Sequence, residues 1–278
     1  MADLHFKHLF VMSRARPDGI GETLAAVNQY LTQLGVTLTI EEETAARFDC
    51  HPHKTASASH LPDDIDLILV VGGDGSLITA AHTAVNHNLP VVGINRGRLG
   101  FLTDIHPNHL EELHTIINGD FHQEERTLLD AKLIHNDTLC ETLVALNDIV
   151  LLPGDISHMI EFDTYVNGQL VYHQRADGMI IATSTGSTAY ALSGGGPILQ
   201  PGIETLVLVP MFPHTLSSRP IVLSTNSTIK LIINHQNETT PFISNDGKTR
   251  IPTPLGSEIH ITKYNEKLQL IHPSSYNY

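Results

Sequence analysis

The stretch Val70-Val71-Gly72-Gly73-Asp74-Gly75-Ser76-Leu77 is the most informative part of the N-terminal half of the chain. It joins a strand pattern over Asp66–Val71 to a helix pattern over Leu77–Asn86. Glycines at such a junction let the backbone approach a phosphate closely, and a helix N-terminus presents N–H groups to an anion. The spacing is neither that of the GxxxxGK[ST] phosphate loop nor that of the GxGxxG dinucleotide fingerprint. We therefore expect a strand–loop–helix junction with one acidic side chain beside a place for phosphate.

Two interpretations of Asp74 are open on this motif alone. Its carboxylate can take a proton from an attacking hydroxyl group, or hold Mg²⁺. Alternatively the motif is only a tight turn, in which Asp74 caps the following helix.

The first ~120 residues alternate strand and helix patterns, which is typical of a parallel sheet wound with helices. Apolar residues recur every three or four positions from Ile20 to Leu34 and predict one face of a helix. A second helix is predicted over Pro107–Ile117. Asp49–Pro62 has the composition of a loop, and Glu41-Glu42-Glu43 is interpreted as a solvated loop or helix start. The remaining predicted strands of this part are His8–Ser13, Val36–Ile40 and Pro90–Asn95.

From about Arg126 the chain changes to short β-rich runs separated by turn pairs such as Asn136-Asp137 and Asn167-Gly168. A hairpin through Asn265-Glu266 is predicted to join Glu258–Lys263 to Leu268–His272. The other predicted strands are Thr127–His135, Thr142–Leu152, Met159–Val166, Gln169–His173, Met179–Ala182, Thr205–Val209 and Thr228–Asn234. We expect an α/β domain over 1–124, a β-rich domain over 125–262, and a C-terminal segment, 263–278, that packs back on the first domain.

Composition excludes several classes of protein. The formal charge of −14 argues against a nucleic-acid partner, because phosphate backbones are bound by clustered Lys and Arg. No apolar run is long enough to span a bilayer, and the start of the chain lacks signal-peptide features, so we expect a cytoplasmic protein without a membrane partner. Cys50 and Cys140 are expected to be reduced. The 18 histidines lack metal-site spacing, since His109 and His114 are five positions apart, and no metal ligand is assigned.

A second chemical motif is the hydroxyl-rich stretch Thr183-Ser184-Thr185-Gly186-Ser187-Thr188-Ala189-Tyr190, which follows a predicted strand. Hydroxyls and backbone N–H groups at a strand–helix junction suit a phosphate or a ribose, and Tyr190 offers a ring face to a base. The alternative interpretation is that these hydroxyls only cap a buried turn.

Together, the Gly-Gly-Asp-Gly and Thr-Gly-Ser-Thr-Ala-Tyr motifs, with Asn147-Asp148 between them, resemble those of the NAD kinase family. The resemblance implies a Rossmann-like α/β domain and a β-rich domain with the active site between them. It implies transfer of the γ-phosphate of ATP to the 2′-hydroxyl of the adenosine ribose of NAD, giving NADP and regulating the NAD/NADP balance. It also implies a divalent cation, expected to be Mg²⁺, and a homodimer or homotetramer.

By the same resemblance, Asp74 is the general base, and Gly75 lines the same loop. From phosphate chemistry we expect Gly72, Gly73 and Gly75 to form the loop that nests the donor phosphates. The residues implied to contact NAD are Asp74, Gly75, Asn147, Asp148, His158, Arg175, Asp177, Thr188, Ala189, Tyr190, Ala191, Leu192, Ser193 and Lys248. Some contacts of His158 and Arg175 are expected to cross a subunit interface.

Three positions depart from the family pattern. Asp148 stands where Glu is usual, Gly194 where Ala is common, and Lys248 where Gln is frequent. Lys248 can pair with a phosphate, where Gln would only form a hydrogen bond.

Arg96 and Arg98 are expected either to approach phosphates or to form salt bridges.

Three rival functions fit the sequence less well. A lipid or sugar kinase shares the Gly-Gly-Asp-Gly loop, but it would lack the Thr-Gly-Ser-Thr-Ala-Tyr stretch. A non-catalytic NAD(P) sensor is disfavoured by the intact Asp74 and glycines. A dehydrogenase is excluded because its GxGxxG fingerprint is absent.

Overall fold

A computed structural model describes residues 4–14, 19–48, 54–96, 100–155, 158–215 and 217–276. Cys50, His51, His53 and Arg98 lie outside these ranges. The chain divides into two compact units. The first unit comprises Met1–Glu125 and Leu268–Tyr278, and the second comprises Arg126–Lys267.

The first unit is a sheet with helices, as the sequence predicted. Its helices are α1 (Ile20–Gln33), α2 (Glu42–Phe48), α3 (Asp74–His87) and α4 (Glu111–Ile117). Its strands are β1 (His8–Met12), β2 (Thr37–Glu41), β3 (Lys54–Ala56), β4 (Leu67–Gly72), β5 (Val91–Asn95), β6 (Phe121–Arg126) and, from the end of the chain, β19 (Leu268–Pro273).

These seven strands form one sheet in the order β3-β2-β1-β4-β5-β19-β6. The pairs from β3 through to β19 are parallel. Strands β1 and β4 are buried along their whole length, as expected when helices cover both faces of a parallel sheet. In α1 the predicted stripe, Ile20, Leu24, Val27 and Leu31, packs into the core beside Leu69. The parallel sheet brings the carboxyl ends of β1, β2, β4 and β5 to one edge, where the Gly72–Gly75 loop leaves β4.

One local prediction in this unit was wrong, and another was confirmed only in part. The predicted loop 49–62 contains β3, which pairs with β2 as an edge strand. For Glu41-Glu42-Glu43 the predicted helix start is confirmed, since α2 begins at Glu42, whereas Glu41 is not solvated: it ends β2 with only 2% of its surface exposed. The Arg14 guanidinium contacts both of its carboxylate oxygens, at 2.5 and 2.6 Å, and the Thr44 hydroxyl donates to it at 2.7 Å. The isolated acidic triplet carried no sign of this distant partner.

The second unit is β-rich, as predicted. Its strands are β7 (Leu129–His135), β8 (Thr138–Ala145), β9 (Asp148–Leu152), β10 (Ile160–Val166), β11 (Gln169–Ala176), β12 (Gly178–Thr183), β13 (Thr205–Met211), β14 (Ile221–Ser224), β15 (Ile229–Ile233), β16 (Phe242–Asn245), β17 (Ile251–Pro252) and β18 (Glu258–Lys263). A short 3₁₀ turn, Thr185–Thr188, precedes its one-turn helix α5 (Tyr190–Ser193).

The second unit contains two antiparallel sheets, in the orders β11-β10-β15-β18-β7-β8 and β14-β13-β12-β9-β16-β17. They share one hydrophobic core, in which Phe162 and Ile259 of the first sheet lie with Ile181 and Leu208 of the second. The predicted turns at Asn136-Asp137 and Asn167-Gly168 are confirmed, and all four residues have positive φ.

Two strand predictions in the second half of the chain were wrong in ways that matter for the site. The run predicted over Thr142–Leu152 is two strands, which break at Leu146-Asn147 between β8 and β9. The hairpin through Asn265-Glu266 does not form. Strand β18 pairs with β15 and β7, whereas β19 joins the parallel sheet beside β5.

Candidate active site

Asp74 is the first residue of α3, at the end of the glycine loop that follows β4. Its carboxylate does not cap the helix, because the N-cap position is Gly73 and has no side-chain cap. Instead, Oδ2 accepts the backbone N–H of Phe101 at 2.8 Å, and Oδ1 accepts that of Leu102 at 3.1 Å. The Thr103 hydroxyl donates to Oδ1 at 3.3 Å. The capping interpretation of Asp74 was therefore wrong.

Gly100 lets the donor segment lie this close to Asp74. A Cβ atom at Gly100 would stand 2.2 Å from Oδ1 of Asp74. By contrast, a Cβ at Gly73 or Gly75 would meet no atom within 4 Å, so the outer side of the glycine loop is open. The loop therefore leaves room for a ligand beside a carboxylate whose orientation is fixed by three donors.

Arg96 lies next to this loop. Its backbone N–H donates to the carbonyl of Gly72 at 3.0 Å. Its guanidinium rests against Gly19, where a Cβ would stand 1.5 Å from Nη2. Arg96 thus lies at the same end of the strands as the glycine loop. That Arg96 approaches a phosphate stays a prediction.

In the second unit, Asn147 and Asp148 lie at the break between β8 and β9, and Asp246 holds their backbone in place. The carboxylate of Asp246 accepts the N–H groups of Leu146, Asn147 and Asp148 at 3.0, 2.7 and 3.3 Å. In return, Asp246 donates its own N–H to the carbonyl of Asp148 at 3.0 Å. Asp246 adopts φ +48°, a left-handed conformation that Asp tolerates better than most residues.

The side chains at the break combine an unpaired polar atom with a buried carboxyl group. Within the described structure, Oδ1 of Asn147 is buried and has no hydrogen-bond partner. Asp148 is 4% exposed. Burial raises the pKa of Asp148 to about 7, and the nearby charge of Asp246 adds to this effect. The break therefore presents an unsatisfied amide oxygen beside a carboxyl group that titrates near neutral pH.

The hydroxyl-rich turn lies against the same break. Gly186 is required there, because a Cβ would stand 2.1 Å from the carbonyl oxygen of Asn147. The Thr183 hydroxyl donates to the carbonyl of Leu146 at 2.6 Å and accepts the N–H of Gly186. The Ser187 hydroxyl is likewise used internally, donating to Ser184 and accepting from Leu199. Thr183 and Ser187 thus serve the turn itself, as the capping interpretation held for this stretch.

The residues from Thr188 to Ser193 continue from this turn. Ala191 is buried in the apolar cluster that covers the outer face of β12, whereas Tyr190 and Leu192 are each 43% exposed. Tyr190 and Ser193 line a cavity of about 720 Å³, together with Gly195, Met211, Phe212 and Arg219. The structure therefore divides this stretch into a buried anchor and exposed apolar groups.

His158, Arg175 and Asp177 lie apart from the Asn147 break along the chain, but two of them share one surface. His158 and Arg175 line a cavity of about 480 Å³ with Glu161 and Glu238. His158 contacts Glu238 at 3.2 Å. Asp177 follows β11, and its N–H donates to Met211 at 2.9 Å. Lys248 is exposed on the turn that carries Asp246.

Two residues of these clusters were not predicted as site residues. Asp246 holds the break at Asn147, and the Thr103 hydroxyl donates to Asp74. Phe212 follows Met211 and precedes Pro213; its side chain is 75% exposed and its backbone has φ +44°. Its unusual backbone leaves no mark in the sequence, whereas the Asn-Asp-Gly triplet at Asn245–Gly247 is a turn signal that pointed to Asp246.

Among the described residues, no three His, Cys, Asp or Glu side chains are grouped so as to hold a metal ion. None of the helices in the described ranges is long and apolar enough to cross a membrane.

This chain is similar to known proteins over nearly its whole length. The ATP-NAD kinase N-terminal domain matches residues 15–121, and the ATP-NAD kinase C-terminal domain matches residues 146–273. The chain is 50% identical over 273 residues to the NAD kinase of Coxiella burnetii (strain Dugway 5J108-111), covering 98% of this chain and 91% of that protein. The chain belongs to the NAD kinase family. The family resemblance found in the sequence motifs is therefore confirmed.

Another NAD kinase sequence and two solved structures are also similar to this chain. The NAD kinase of Marinobacter nauticus is 47% identical, with 98% of this chain and 93% of that protein covered. Yeast NADH kinase, solved in complex with NADH, has a TM-score of 0.82 at 25% identity and covers 96% of this chain and 83% of its own. The NAD kinase of Archaeoglobus fulgidus, solved in complex with ATP, has a TM-score of 0.74 at 25% identity, covering 96% and 94%. The protein is thus an enzyme of the NAD kinase class.

Proposed function

We propose that this NAD kinase transfers the γ-phosphate of ATP to the 2′-hydroxyl of the adenosine ribose of NAD, with Asp74 as the general base. The observation that carries the proposal is the Asp74 carboxylate, oriented by three donors beside an open glycine loop. Phosphoryl transfer depends mainly on positioning and charge stabilisation, so a pre-oriented base is the group that the protein must supply.

The hydrogen bonds of Asp74 leave a place for the reacting hydroxyl. An ionised carboxylate has about four acceptor positions. Among the described residues, Leu102 and Thr103 donate to Oδ1, while Phe101 alone donates to Oδ2. The remaining position on Oδ2 would accept the ribose O–H. As the proton moves to Asp74, the ribose oxygen forms a bond to the γ-phosphorus, and the bond from that phosphorus to the β–γ bridging oxygen breaks to release ADP.

On the acceptor side, Asn147 and Asp148 would hold the adenosine and ribose part of NAD. The buried, unpartnered Oδ1 of Asn147 supports this, because buried polar atoms are nearly always satisfied and a ribose hydroxyl or adenine amine can donate to it. Tyr190 would present its exposed ring to a base. Arg175, Asp177, His158 and Lys248 are proposed as further NAD contacts, of which the cationic groups suit the pyrophosphate.

On the donor side, Gly72, Gly73 and Gly75 would place backbone N–H groups against the phosphates of ATP. Among the described residues no three His, Cys, Asp or Glu side chains form a ligand set, and Mg²⁺ is commonly held by one or two carboxylates together with substrate phosphates. When bound, Mg²⁺ would neutralise charge on those phosphates.

We further propose a homodimer or homotetramer, which sedimentation analysis would test.

A coupled assay tests the proposal. Purified protein is incubated with NAD, ATP and Mg²⁺, and NADP is detected with an NADP-specific dehydrogenase. Asp74→Asn is expected to lower turnover by about 10²- to 10⁴-fold while NAD binding persists. Asp63→Asn, at an exposed carboxylate of the same unit, is the matched control and should keep full turnover. Near-normal turnover in a folded Asp74→Asn enzyme would refute the role of Asp74 as base.

A further inference from the structure

We infer that His272, on the C-terminal strand β19, is a positioning residue for phosphoryl transfer that acts on Asp74 through Asp104. The inference rests on the proposed role of Asp74 as the base. It names a residue almost two hundred positions from Asp74 in the chain, outside both sequence motifs.

His272 is held on several sides within the first unit. Its side chain is fully buried. Nδ1 contacts a carboxylate oxygen of Asp104, and Nε2 lies 3.3 Å from a carboxylate oxygen of Glu124. The ring of Tyr276 stacks on it with centroids 4.0 Å apart. Both ring nitrogens are thus engaged, so the imidazole has one defined orientation.

A purely structural role explains this cluster poorly. Burying charged or polar groups costs desolvation free energy, and a well-packed apolar residue is often as stabilising at such a position. The parallel sheet already secures β19 beside β5. An apolar residue could not reproduce the directional contacts with Asp104 and Glu124, and of these two residues Asp104 is the one that adjoins the donors to Asp74.

Asp104 directly follows the residues that donate to Asp74. Phe101, Leu102 and Thr103 supply all three donors, and Asp104 is the next residue in the chain. The donor segment, residues 100–105, belongs to no strand or helix and makes only a single bridge, between Ile94 and Ile105.

The donor segment is therefore anchored from two sides. On one side, the Asn95 amide donates to the carbonyl of Thr103 at 3.2 Å, and Ile105 exchanges backbone hydrogen bonds with Gly93 and Asn95. On the other side, the anchor is the contact of Asp104 with His272. Without His272, Asp104 loses the partner that fixes its side chain, and the neighbouring donors can shift. A displacement of about 1 Å in a catalytic group can cost about 10²-fold in rate.

The test is a double-mutant cycle between His272 and Asp74 in the full-length enzyme. His272→Leu is expected to lower kcat by about 10- to 100-fold, while KM for NAD and for ATP changes by less than about twofold. His272→Asn, whose amide can still donate to Asp104, should recover most of the turnover. In the Asp74→Asn background, measured at high enzyme concentration, His272→Leu should cause little further loss, because its effect passes through Asp74.

Ser275→Ala is the matched control in the same C-terminal segment, since this exposed hydroxyl donates to Glu112 at 3.2 Å. It should leave kcat unchanged. If His272→Leu does not fold, Asp104→Ala removes the same contact from a partly exposed side chain. Turnover within twofold of wild type in the folded variant would overturn the inference. So would a loss that multiplies with that of Asp74→Asn, since independent effects add in free energy.

The two proposals fail in different ways. Normal turnover in Asp74→Asn alone would refute the base. A large loss in Asp74→Asn, with normal turnover in His272→Leu, would refute only the positioning role of His272.

Discussion

The carboxylate of Asp246 accepts the backbone N–H of Asn147 at 2.7 Å, although the two residues are 99 positions apart. The same carboxylate also accepts the N–H groups of the residues on either side of Asn147. The turn between β16 and β17 thus determines the backbone path at the break between β8 and β9. The proposed NAD-binding pair, Asn147 and Asp148, is therefore positioned by a residue that is not itself a proposed NAD contact.

Asp246→Ala should loosen this break. The three backbone N–H groups would lose their acceptor, and leaving buried donors unsatisfied should lower the free energy of unfolding by about 2 kcal/mol. KM for NAD should rise, because Asn147 and Asp148 would no longer be held in one place. Denaturant unfolding and steady-state kinetics measure the two effects. Asp137→Ala, at an exposed turn aspartate that also has positive φ, should change stability by about 1 kcal/mol or less and leave KM unchanged.

Asp148 should make stability depend on pH. Its pKa in the folded protein is about 7, whereas its ordinary value is 3.8. Between these values the folded state binds the proton more tightly than the unfolded chain, so stability falls as pH rises from about 4 to about 7. The slope from this one group can approach ~1.4 kcal/mol per pH unit. Asp148→Asn should remove that slope.

The control for this pH dependence is Asp246→Asn, which removes the neighbouring charge. Asp246→Asn should lower the pKa of Asp148, so the fall of stability with rising pH should end at a lower pH than in the wild type. The pH dependence of stability should not disappear, because burial is the larger cause of the raised pKa. Urea unfolding at several pH values from 4 to 8 measures the slopes. Identical pH profiles for wild type and Asp148→Asn would contradict the prediction.

Gly100→Ala should damage catalysis more than folding. The added Cβ would stand 2.2 Å from Oδ1 of Asp74, and a carboxylate at the end of a side chain can rotate away more readily than backbone can move. We expect kcat to fall by about 10²-fold and stability by about 1 kcal/mol. Gly21→Ala, in α1 where the new Cβ meets nothing within 4 Å, should leave kcat unchanged. A Gly100→Ala enzyme with normal kcat would show that Asp74 tolerates this displacement.

Arg14→Ala should strongly destabilise the first unit. It leaves the carboxylate of Glu41, which is only 2% exposed, without its bidentate partner, and an uncompensated buried charge costs about 3 kcal/mol. Glu43→Ala removes the exposed contact of the same guanidinium, at 3.2 Å, and should cost less than about 1 kcal/mol. Thermal and denaturant unfolding distinguish the two. Equal losses in both variants would mean that the burial of Glu41 contributes little.

Much of the fold was predictable because its signals are local. The stripe in α1 and the fully apolar β1 and β4 follow from the spacing of neighbouring residues, and so do the turns at Asn136 and Asn167. The carboxyl-edge location of Asp74 followed from the strand, glycine loop and helix that surround it. The order and spacing of the three motifs were sufficient to predict the family.

What failed depended on partners far along the chain. β19 was predicted to pair with β18, its neighbour in sequence, but it completes the parallel sheet beside β5. A solvated loop was one of the two predictions for Glu41-Glu42-Glu43, because the sequence does not show that Arg14 reaches Glu41.

Local sequence patterns were sufficient to predict the longer helices, most of the strands, the two chemical motifs and the family to which the chain belongs. The folded structure was needed to show how the site residues are held: Asp74 by the N–H groups of Phe101 and Leu102, and Asn147 by Asp246. The donors in these contacts are backbone N–H groups. Every residue except proline carries one, so no residue type marks the donor, and only the folded path of the chain brings it to its acceptor.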